Sequence, residues 1–321
     1  MGKTFNIQHS ILKSQPVFLA GPTAVGKSAI ALAFAERTGG EIITVDSMQV
    51  YRGLDIGTAK PTAEERRRVP HHLLDVCDLN EAFDAAQFVR LAQAAVTEIL
   101  ARGRVPIFCG GTGLYFKALL EGVGEAPPGD AKVRAELEAA PLEQLLTELR
   151  ERDLVTFERI DRQNPRRVVR AVEVIRLTGK PFSKQRANWN SAARSPQPAA
   201  RLFCFTRPAA DLHRRINARV DEMFRRGLVN ETRELLQHGL AENKVAMQAI
   251  GYRQVVEHLR GDRGLAATIE LVKIKTRQFA KRQLTWFRRH GNCEWIDLKA
   301  GETVDHTLET IITSARPCVP G

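Results

Sequence analysis

The chain has 321 residues, a length that predicts about two domains at roughly 100 to 200 residues each. Hydrophobic residues make up 43% of it and charged residues 26%, which argues against a chain that is disordered throughout or embedded in a membrane. The 48 Lys and Arg residues outnumber the 37 Asp and Glu residues and give a net charge of +11, so we expect either a polyanionic partner or simply a basic surface.

Strands and helices alternate in the first third of the sequence. An apolar run after Pro16 predicts a strand, and the alanine-rich segment 28–37 beyond a glycine-containing turn predicts a helix. A second strand is predicted at 41–45, and the helical pattern of 85–102 leads into a third strand at 105–109. This alternation is typical of a parallel sheet with helices on both faces.

The composition changes where residues 126–129 read Ala-Pro-Pro-Gly and interrupt the chain. Helical patterns rich in Ala, Leu, Glu and Arg follow at 130–152 and 166–177, and the segment 188–198 is polar and loop-like. We therefore predict a helical insertion domain at 126–199.

Strand character returns at 201–206, and long helical patterns follow it at 211–238, 245–260 and 265–290. We predict a core of residues 15–125 and 200–298, interrupted by the insertion domain, and a C-terminal tail of residues 299–321. No internal repeat is present.

A phosphate-binding motif lies between the first strand and the first helix. It matches G-x-x-x-x-G-K-[ST] and consists of Gly21, Pro22, Thr23, Ala24, Val25, Gly26, Lys27 and Ser28. Backbone N–H groups, the positive end of the helix, the Lys27 ammonium and Mg²⁺ on Ser28 would all neutralise phosphate charge. We therefore predict a P-loop NTPase-like core that binds a diphosphate or triphosphate; the alternative is a chance glycine turn.

A second metal-binding acid, which a nucleotide triphosphatase or kinase needs, is hard to place. Asp75 follows only a short apolar run, and the strand at 105–109 ends in Gly-Gly-Thr-Gly without an acid. Asp46 ends the strand at 41–45, and Thr112 follows the strand at 105–109, so both should face the ligand crevice at the carboxyl ends of the strands. Asp46 could instead cap a turn.

The segment 273–289 carries seven basic residues and no acidic residue across 17 positions. Arg277, Lys281 and Arg288 fall on one face of the predicted helix. Without acidic partners four residues away, this face indicates a polyanion-binding surface, or alternatively a solvated cationic face.

Several motifs in a fixed order resemble those of the tRNA dimethylallyltransferases, also called isopentenyl-diphosphate:tRNA transferases. The resemblance covers roughly residues 16–298 and rests on the motifs at 21–28, 45–51, 55–61, 70–75, 110–115, 170–174 and 276–286. Arg166 departs from the family's frequent Gln, and the zinc finger of some eukaryotic members is missing, so the resemblance is to the bacterial type.

The resemblance implies transfer of a dimethylallyl group from dimethylallyl diphosphate to the exocyclic amine of the adenosine 3′ of a tRNA anticodon. The adenine would be flipped into a channel, and the P-loop would hold the diphosphate without ATP. The insertion domain would correspond to the family's mobile helical domain, which closes over the tRNA.

The resemblance also implies residue roles. Asp46 would be the base, Thr112 its companion on the amine, and Arg219, Lys27 and Mg²⁺ at Ser28 would hold the diphosphate. The implied tRNA contacts are Asp46, Ser47, Met48, Gln49, Thr112, Arg134, Arg166, Arg167, Val168, Val169, Arg170, Gln248, Gly251, Tyr252, Arg253, Lys281, Arg282, Gln283, Trp286 and Arg288.

Two other functions compete with tRNA prenylation. A P-loop kinase or an isopentenyltransferase of free adenylate would share the diphosphate loop and Asp46, but would not need the basic segment. An RNA-binding ATPase would need hydrolytic residues that we cannot place. A scaffold without activity would need none.

Cysteines and hydropathy bear on the compartment. The five cysteines include no C-x-x-C pair, which indicates neither a disulfide framework nor a zinc site. No run approaches 18 apolar residues, and the first 15 residues lack a signal-like apolar stretch. We expect a cytoplasmic monomer that does not bind membranes, with tRNA and dimethylallyl diphosphate as partners.

Overall fold

The computed structural model describes residues 15–185, 201–290, 293–299 and 304–314. Within this part, six parallel strands form one sheet in the order β3-β2-β4-β1-β5-β6. The strands are β1 (Val17–Ala20), β2 (Glu41–Val45), β3 (His71–His72), β4 (Pro106–Gly110), β5 (Arg201–Thr206) and β6 (Glu294–Asp297). The predicted parallel α/β core is confirmed.

Helices connect these strands. In chain order they are α1 (Lys27–Thr38), α2 (Ala63–Arg68), α3 (Ala85–Ala101), α4 (Gly113–Glu121), α5 (Ala131–Ala139), α6 (Leu142–Arg152), α7 (Leu154–Arg159), α8 (Pro165–Thr178), α9 (Ala209–Arg225), α10 (Leu228–Gln237), α11 (Tyr252–Leu259), α12 (Leu265–His290) and α13 (Val304–Ser314). Short 3-10 turns lie at Phe182–Lys184 and Ala246–Gln248. No helix in the described part of the chain is long and apolar enough to cross a membrane.

The central strands are apolar along their whole length because helices cover both faces of the sheet. All four residues of β1 and all five of β4 are buried. Side chains alternate between the faces, so Phe18 and Phe108 stack on one face with ring centroids 4.8 Å apart, while Leu19 and Ile107 join the core on the other. This packing fixes the register that brings the ends of β1, β2 and β4 together.

The chain divides into two compact units, one of residues 1–120 and 196–321 and the other of residues 121–195. The second unit holds α5 to α8 around its own core, which includes Leu137, Leu149 and Val172. Its bounds lie within about five residues of those predicted for the insertion domain.

Three predicted helices are interrupted. The segment 245–260 consists of the 3-10 turn Ala246–Gln248 and α11, which are separated at Gly251 with its φ of 103°. The segment 211–238 breaks at Gly227, whose φ of 101° ends the helical geometry between α9 and α10. The segment 130–152 breaks at Pro141, where α5 ends and α6 begins. Glycine and proline thus override a helical pattern that continues on both sides of them.

The prediction of a tail at 299–321 is wrong in one respect. Helix α13 lies within it and is amphipathic, with Leu308, Ile311 and Ile312 buried in the same hydrophobic cluster as the apolar side of α1. Glu309 also pairs with Arg37 of α1. This segment is therefore part of the core.

Candidate active site

A cavity of about 490 Å³ opens at the carboxyl ends of β1, β2 and β4. In a parallel sheet this is where loops from neighbouring strands diverge and ligands bind. All of its lining belongs to the first compact unit. The polar residues that line it include Thr23, Lys27, Ser28, Asp46, Ser47, Gln49, Lys60, Thr112, Arg219, Gln248, Arg282 and Gln283.

The phosphate loop, residues 21–28, joins β1 to α1 in a conformation that depends on small residues. A Cβ at Gly21 would lie 2.9 Å from the Phe205 carbonyl oxygen, so β5 leaves room only for glycine. Ala24 has a left-handed φ of 63°, and Gly26 caps α1 with a φ of 116°. Lys27 and Ser28 at the start of α1 line the cavity, so the N-terminus of this helix, with its unpaired N–H groups, lies beside it.

Two cationic side chains of the site lie at the phosphate loop. The Lys27 ammonium donates to the Pro22 carbonyl at 3.0 Å, and Arg219 of α9 donates to the Thr23 hydroxyl at 3.5 Å. Burial lowers the pKa of Lys27, and burial followed by the charge of Arg215 lowers the pKa of Arg219. Partly desolvated cations of this kind gain most from an anionic ligand.

Asp46 stands at the end of β2. Its Oδ1 accepts hydrogen bonds from the N–H groups of Met48 (2.8 Å) and Gln49 (3.3 Å), so it does cap the turn that follows the strand. Its Oδ2 has no hydrogen-bond partner among the described residues. Burial raises the pKa of this carboxyl, although the two N–H groups and the Lys27 charge oppose that rise. Asp46 thus combines a capping oxygen with one that can accept a proton.

Thr112 reaches the same cavity from β4. Its N–H donates to the Val45 carbonyl, and its hydroxyl accepts a hydrogen bond from the Ser47 N–H at 3.1 Å. A Cβ at Gly110 would lie 2.0 Å from the Val45 carbonyl oxygen, so glycine allows β4 to approach β2 this closely. Asp46 and Thr112 are therefore brought together, as the strand ends predict.

Lys60 is a site residue that the sequence reasoning missed. Its side chain is 2% exposed, and its ammonium donates to the Tyr51 carbonyl (2.6 Å), Asp55 (2.7 Å) and Asp75 (2.5 Å). Asp75 also pairs with Arg66 at 2.8 Å. Asp75, a weak candidate for a metal ligand in the sequence, therefore forms two ion pairs. No spacing in the sequence predicts these pairs.

Gln283 of α12 joins two loops of the site. Its side-chain oxygen accepts a hydrogen bond from the Thr23 N–H at 2.8 Å, and its amide donates to the Gly111 carbonyl at 3.0 Å. Gln283 is 7% exposed, and Trp286 packs so closely on Gly113 that a Cβ there would lie 2.3 Å from the indole. Gln283, expected as a tRNA contact, is a buried link between the phosphate loop and the turn after β4, and it also lines the cavity.

The basic segment at 273–289 is the C-terminal part of α12 and is only partly as predicted. Lys273 pairs with Asp221 and Glu270 at 2.8 Å each, so the expectation that all seven cations lack acidic partners is wrong. Arg277 donates to Asn217 of α9. The exposed cations are Lys275, Lys281, Arg282, Arg288 and Arg289. A second groove of about 430 Å³ is lined by Gln278, Lys281, Arg282, Thr285, Trp286 and Arg289.

Near α11, the expected tRNA contacts differ in exposure. Gln248 and Arg253 are exposed, whereas Gly251 and Tyr252 are buried. The Tyr252 hydroxyl donates to Glu231 at 2.6 Å and accepts a hydrogen bond from the Gly57 N–H. Its side chain therefore belongs to the core and cannot contact a ligand at the surface.

The same distinction applies in the second unit. Val168 and Val169 are buried in the core of that unit, whereas Arg166 and Arg167 beside them are exposed. Arg134 and Arg170 both donate to the buried carboxylate of Glu173 at 2.7 Å. The two valines therefore hold α8 in place, and Arg166 and Arg167 are the exposed residues beside them.

Together, the phosphate loop and Asp46 define the class of protein. A parallel sheet with a P-loop-like connection presents the phosphate loop and a half-buried carboxylate to one cavity. Such a site can hold a phosphorylated leaving group while a base removes a proton from the acceptor. This is the chemistry of group transfer.

Comparisons with known proteins identify the family. The model of the "IPP transferase" family matches residues 49–290. A tRNA dimethylallyltransferase of Geobacter metallireducens is 47% identical over 305 residues, covering 94% of this chain and 97% of the relative. The crystal structure of the full-length tRNA isopentenylpyrophosphate transferase from Bacillus halodurans is 39% identical, with a TM-score of 0.68 and coverage of 94% and 95%. A eukaryotic dimethylallyltransferase described as acting on tRNA is 27% identical, with a TM-score of 0.79 and coverage of 96% and 81%.

The chain belongs to the IPP transferase family and is a prenyl-transferring enzyme of the tRNA dimethylallyltransferase kind. The resemblance inferred from the sequence motifs is confirmed.

Proposed function

We propose that the enzyme transfers the dimethylallyl group of dimethylallyl diphosphate to the exocyclic amine of the adenosine immediately 3′ of a tRNA anticodon. The observation that carries this proposal is the arrangement of one cavity of about 490 Å³, which Thr23, Lys27 and Ser28 of the phosphate loop line together with Asp46. The diphosphate would lie on the loop and the amine beside Asp46.

The acceptor explains the need for a base. The lone pair of an exocyclic adenine amine is delocalised into the ring, so the amine is a weak nucleophile. As the new C–N bond forms and the C–O bond to diphosphate breaks, one amine proton would pass to Oδ2 of Asp46. The Thr112 hydroxyl, fixed by the Ser47 N–H, would hold the amine in place.

The leaving group explains the cations. Negative charge grows on the diphosphate in the transition state, and the Lys27 ammonium, the Arg219 guanidinium and the N–H groups of α1 would stabilise it. The Ser28 hydroxyl lines the cavity next to Lys27 and is an oxygen ligand of the kind Mg²⁺ prefers. Ser28 would hold Mg²⁺ together with diphosphate oxygens, and the ion would neutralise their charge.

The RNA would be bound mainly through its phosphates. Adenine in a stacked anticodon loop is inaccessible, so it would be flipped out at a cost of about a few kcal/mol. In the first unit, exposed Lys281, Arg282 and Arg288 of α12 provide the cationic surface, and Arg282 also lines the cavity. In the second unit, Arg166 and Arg167 are exposed.

Labelled dimethylallyl diphosphate tests the proposal. The enzyme is incubated with it and either tRNA or AMP, and mass spectrometry of digested tRNA locates the modified nucleoside. Label on the adenosine 3′ of the anticodon is the expected result. Label on AMP alone would identify a free-adenylate transferase, and Lys27-dependent ATP hydrolysis without prenyl transfer would identify an ATPase.

The RNA surface is tested separately by the double variant Lys281→Glu/Arg288→Glu, because neither side chain lines the main cavity. We expect affinity for an anticodon stem-loop to fall by about tenfold and the log–log salt slope to flatten by about one unit or more. Affinity for dimethylallyl diphosphate should not change. An unaltered salt slope in the folded variant would show that the RNA is bound elsewhere.

A further inference from the structure

Two arginines that do not line the cavity donate hydrogen bonds to the backbone of the phosphate loop. Arg207, which follows β5, donates from Nε to the Val25 carbonyl at 2.6 Å, and Arg215 of α9 donates from Nε to the Ala24 carbonyl at 2.9 Å. Arg219, by contrast, lines the cavity. The two carbonyl groups are thus bonded to side chains that lie outside the cavity lining.

The orientation of these carbonyl groups determines where the loop's N–H groups point. In a trans peptide the C=O and N–H bonds point in opposite directions. When Arg207 holds the Val25 carbonyl, the N–H of Gly26 points the other way, and this N–H has no acceptor within the described residues. It is therefore a donor available to an anion.

The loop would not keep this conformation by itself. Gly26 has a φ of 116° and, as a glycine, permits rotation of the peptide that precedes it. Ala24 is held at a left-handed φ of 63°, which is unfavourable for a residue with a side chain. The Val25 N–H has only a long contact of 3.4 Å to the Pro22 carbonyl. A rotated peptide would turn a carbonyl oxygen toward the diphosphate.

Arg207 is itself held in place. Its side chain is 14% exposed, and it pairs at 3.0 Å with Asp211, which is buried in the first turn of α9. Arg215 is more exposed, so its bond to Ala24 should contribute less than the bond that Arg207 makes.

We infer that Arg207 and Arg215 are positioning residues that fix the phosphate loop in its anion-binding conformation by holding the Val25 and Ala24 carbonyl groups. This inference rests on the proposed binding of a diphosphate by that loop. It assigns the two residues a role distinct from Lys27 and Arg219, which would contact the diphosphate directly.

The test measures binding of inorganic diphosphate by calorimetry and the KM for dimethylallyl diphosphate in single-substrate titrations. We expect Arg207→Met to weaken both by about tenfold or more and Arg215→Met by about threefold to tenfold, since each loses one hydrogen bond to the loop and one charge near it. Affinity for the anticodon stem-loop should not change. Arg225→Met is the matched control, because it removes an exposed arginine from α9, the helix that carries Arg215, without touching the loop.

A second substitution separates positioning from simple electrostatic attraction. Glycine tolerates a left-handed φ, so Ala24→Gly should restore most of the binding lost in Arg215→Met. If Arg215 acted only through its charge, the double variant would bind diphosphate as poorly as Arg215→Met, and the inference would be overturned.

The remaining outcomes are also decisive. Variants that bind diphosphate as tightly as Arg225→Met would overturn the inference, as would a loss of RNA affinity in place of diphosphate affinity. Should Arg207→Met fail to fold, the more exposed Arg215 and its Ala24→Gly partner provide the test. A wild-type enzyme that binds no diphosphate and transfers no label would instead contradict the proposed function.

Discussion

A carboxylate lies at each end of strand β2, the buried Glu41 and the half-buried Asp46, and their surroundings are opposite. Glu41, at the start of the strand, is bonded by His72 (2.6 Å), Arg102 (2.8 and 3.1 Å) and Arg104 (3.4 Å). Burial alone would raise its pKa, but hydrogen bonds from Arg102 and His72 hold the pKa of Glu41 below its ordinary value. Asp46, just after the strand, has one oxygen without a described partner and a raised pKa.

The difference shows how one strand can serve both stability and chemistry. A carboxylate whose partners are complete stabilises the fold, because its charged form is favoured there more than in the unfolded chain. A carboxylate that is desolvated and incompletely partnered is kept at some cost to stability, but it can accept a proton. The amino end of the sheet is therefore expected to matter for folding and the carboxyl end for catalysis.

The largest expected effect is that of Asp46→Asn. An amide keeps the hydrogen bonds to the Met48 and Gln49 N–H groups but cannot accept the amine proton, so single-turnover transfer should slow by about 100-fold or more. RNA affinity should be nearly unchanged, and the thermal midpoint unchanged or higher. A near-normal rate would place the base elsewhere.

Lys27→Ala should have the next largest effect. It removes a charge from the proposed diphosphate site, so affinity for dimethylallyl diphosphate and the rate of transfer should together fall by about 30-fold. Because burial lowers the pKa of Lys27, the loss should bring no loss of stability. A variant that transfers label normally would exclude Lys27 from the reaction.

Glu41→Gln should have the opposite effects and lower stability without lowering the rate of transfer. It leaves three cationic or polar partners without their carboxylate, so the free energy of unfolding should fall by about 1 to 2 kcal/mol in urea titrations, while the transfer rate of the folded enzyme is retained. Glu36→Gln is the matched control, since Glu36 pairs with Arg68 at the surface and its loss should cost under about 0.5 kcal/mol. Equal effects of the two variants would remove the distinction between buried and surface pairs.

The smallest effect is the pH dependence of that stability difference. Since the folded pKa of Glu41 lies below the ordinary 4.5, its contribution is present above that value and is lost as the pH falls through the folded pKa. Wild-type and Glu41→Gln stabilities should therefore converge below about pH 4.5 in urea titrations between pH 7 and 3. A stability difference independent of pH would show that Glu41 acts by packing alone.

The pKa of Asp46 is shifted in the opposite direction, upward from its ordinary value of 3.8. Transfer activity should therefore decline on acidification already at pH values above 3.8.

Much of the site could be predicted from the sequence because its parts lie at the ends of strands. The phosphate motif is a continuous segment, and Asp46 and Thr112 follow apolar runs, so the parallel sheet places them together. The contacts of Lys60, Gln283 and Arg207 could not be predicted, since each joins residues that no local period relates. Gln283, for example, meets Thr23 260 positions away.

Which side chains of a helix are buried also could not be predicted from local sequence patterns. Tyr252 and Val168 are tRNA contacts implied by the family resemblance, but both side chains lie in cores, whereas Arg253 and Arg167 beside them are exposed. A motif records that a position is constrained, without distinguishing a packing constraint from a binding one. The buried contacts of α13 were likewise missed, because its apolar side is recognisable only once α1 is beside it.

The link made by Gln283 has a mechanical consequence. Helix α12 is 26 residues long, about 39 Å at 1.5 Å per residue, and on adjacent residues it carries the exposed cations Lys281 and Arg282 and the side chain that bridges the Thr23 N–H and the Gly111 carbonyl. A displacement of this helix by a bound polyanion would be transmitted through the Gln283 amide to both loops that flank the cavity. Linked equilibria are reciprocal. If a polyanion bound on the helix changes the free energy of anion binding at the loop, an anion bound at the loop changes the free energy of polyanion binding by the same amount.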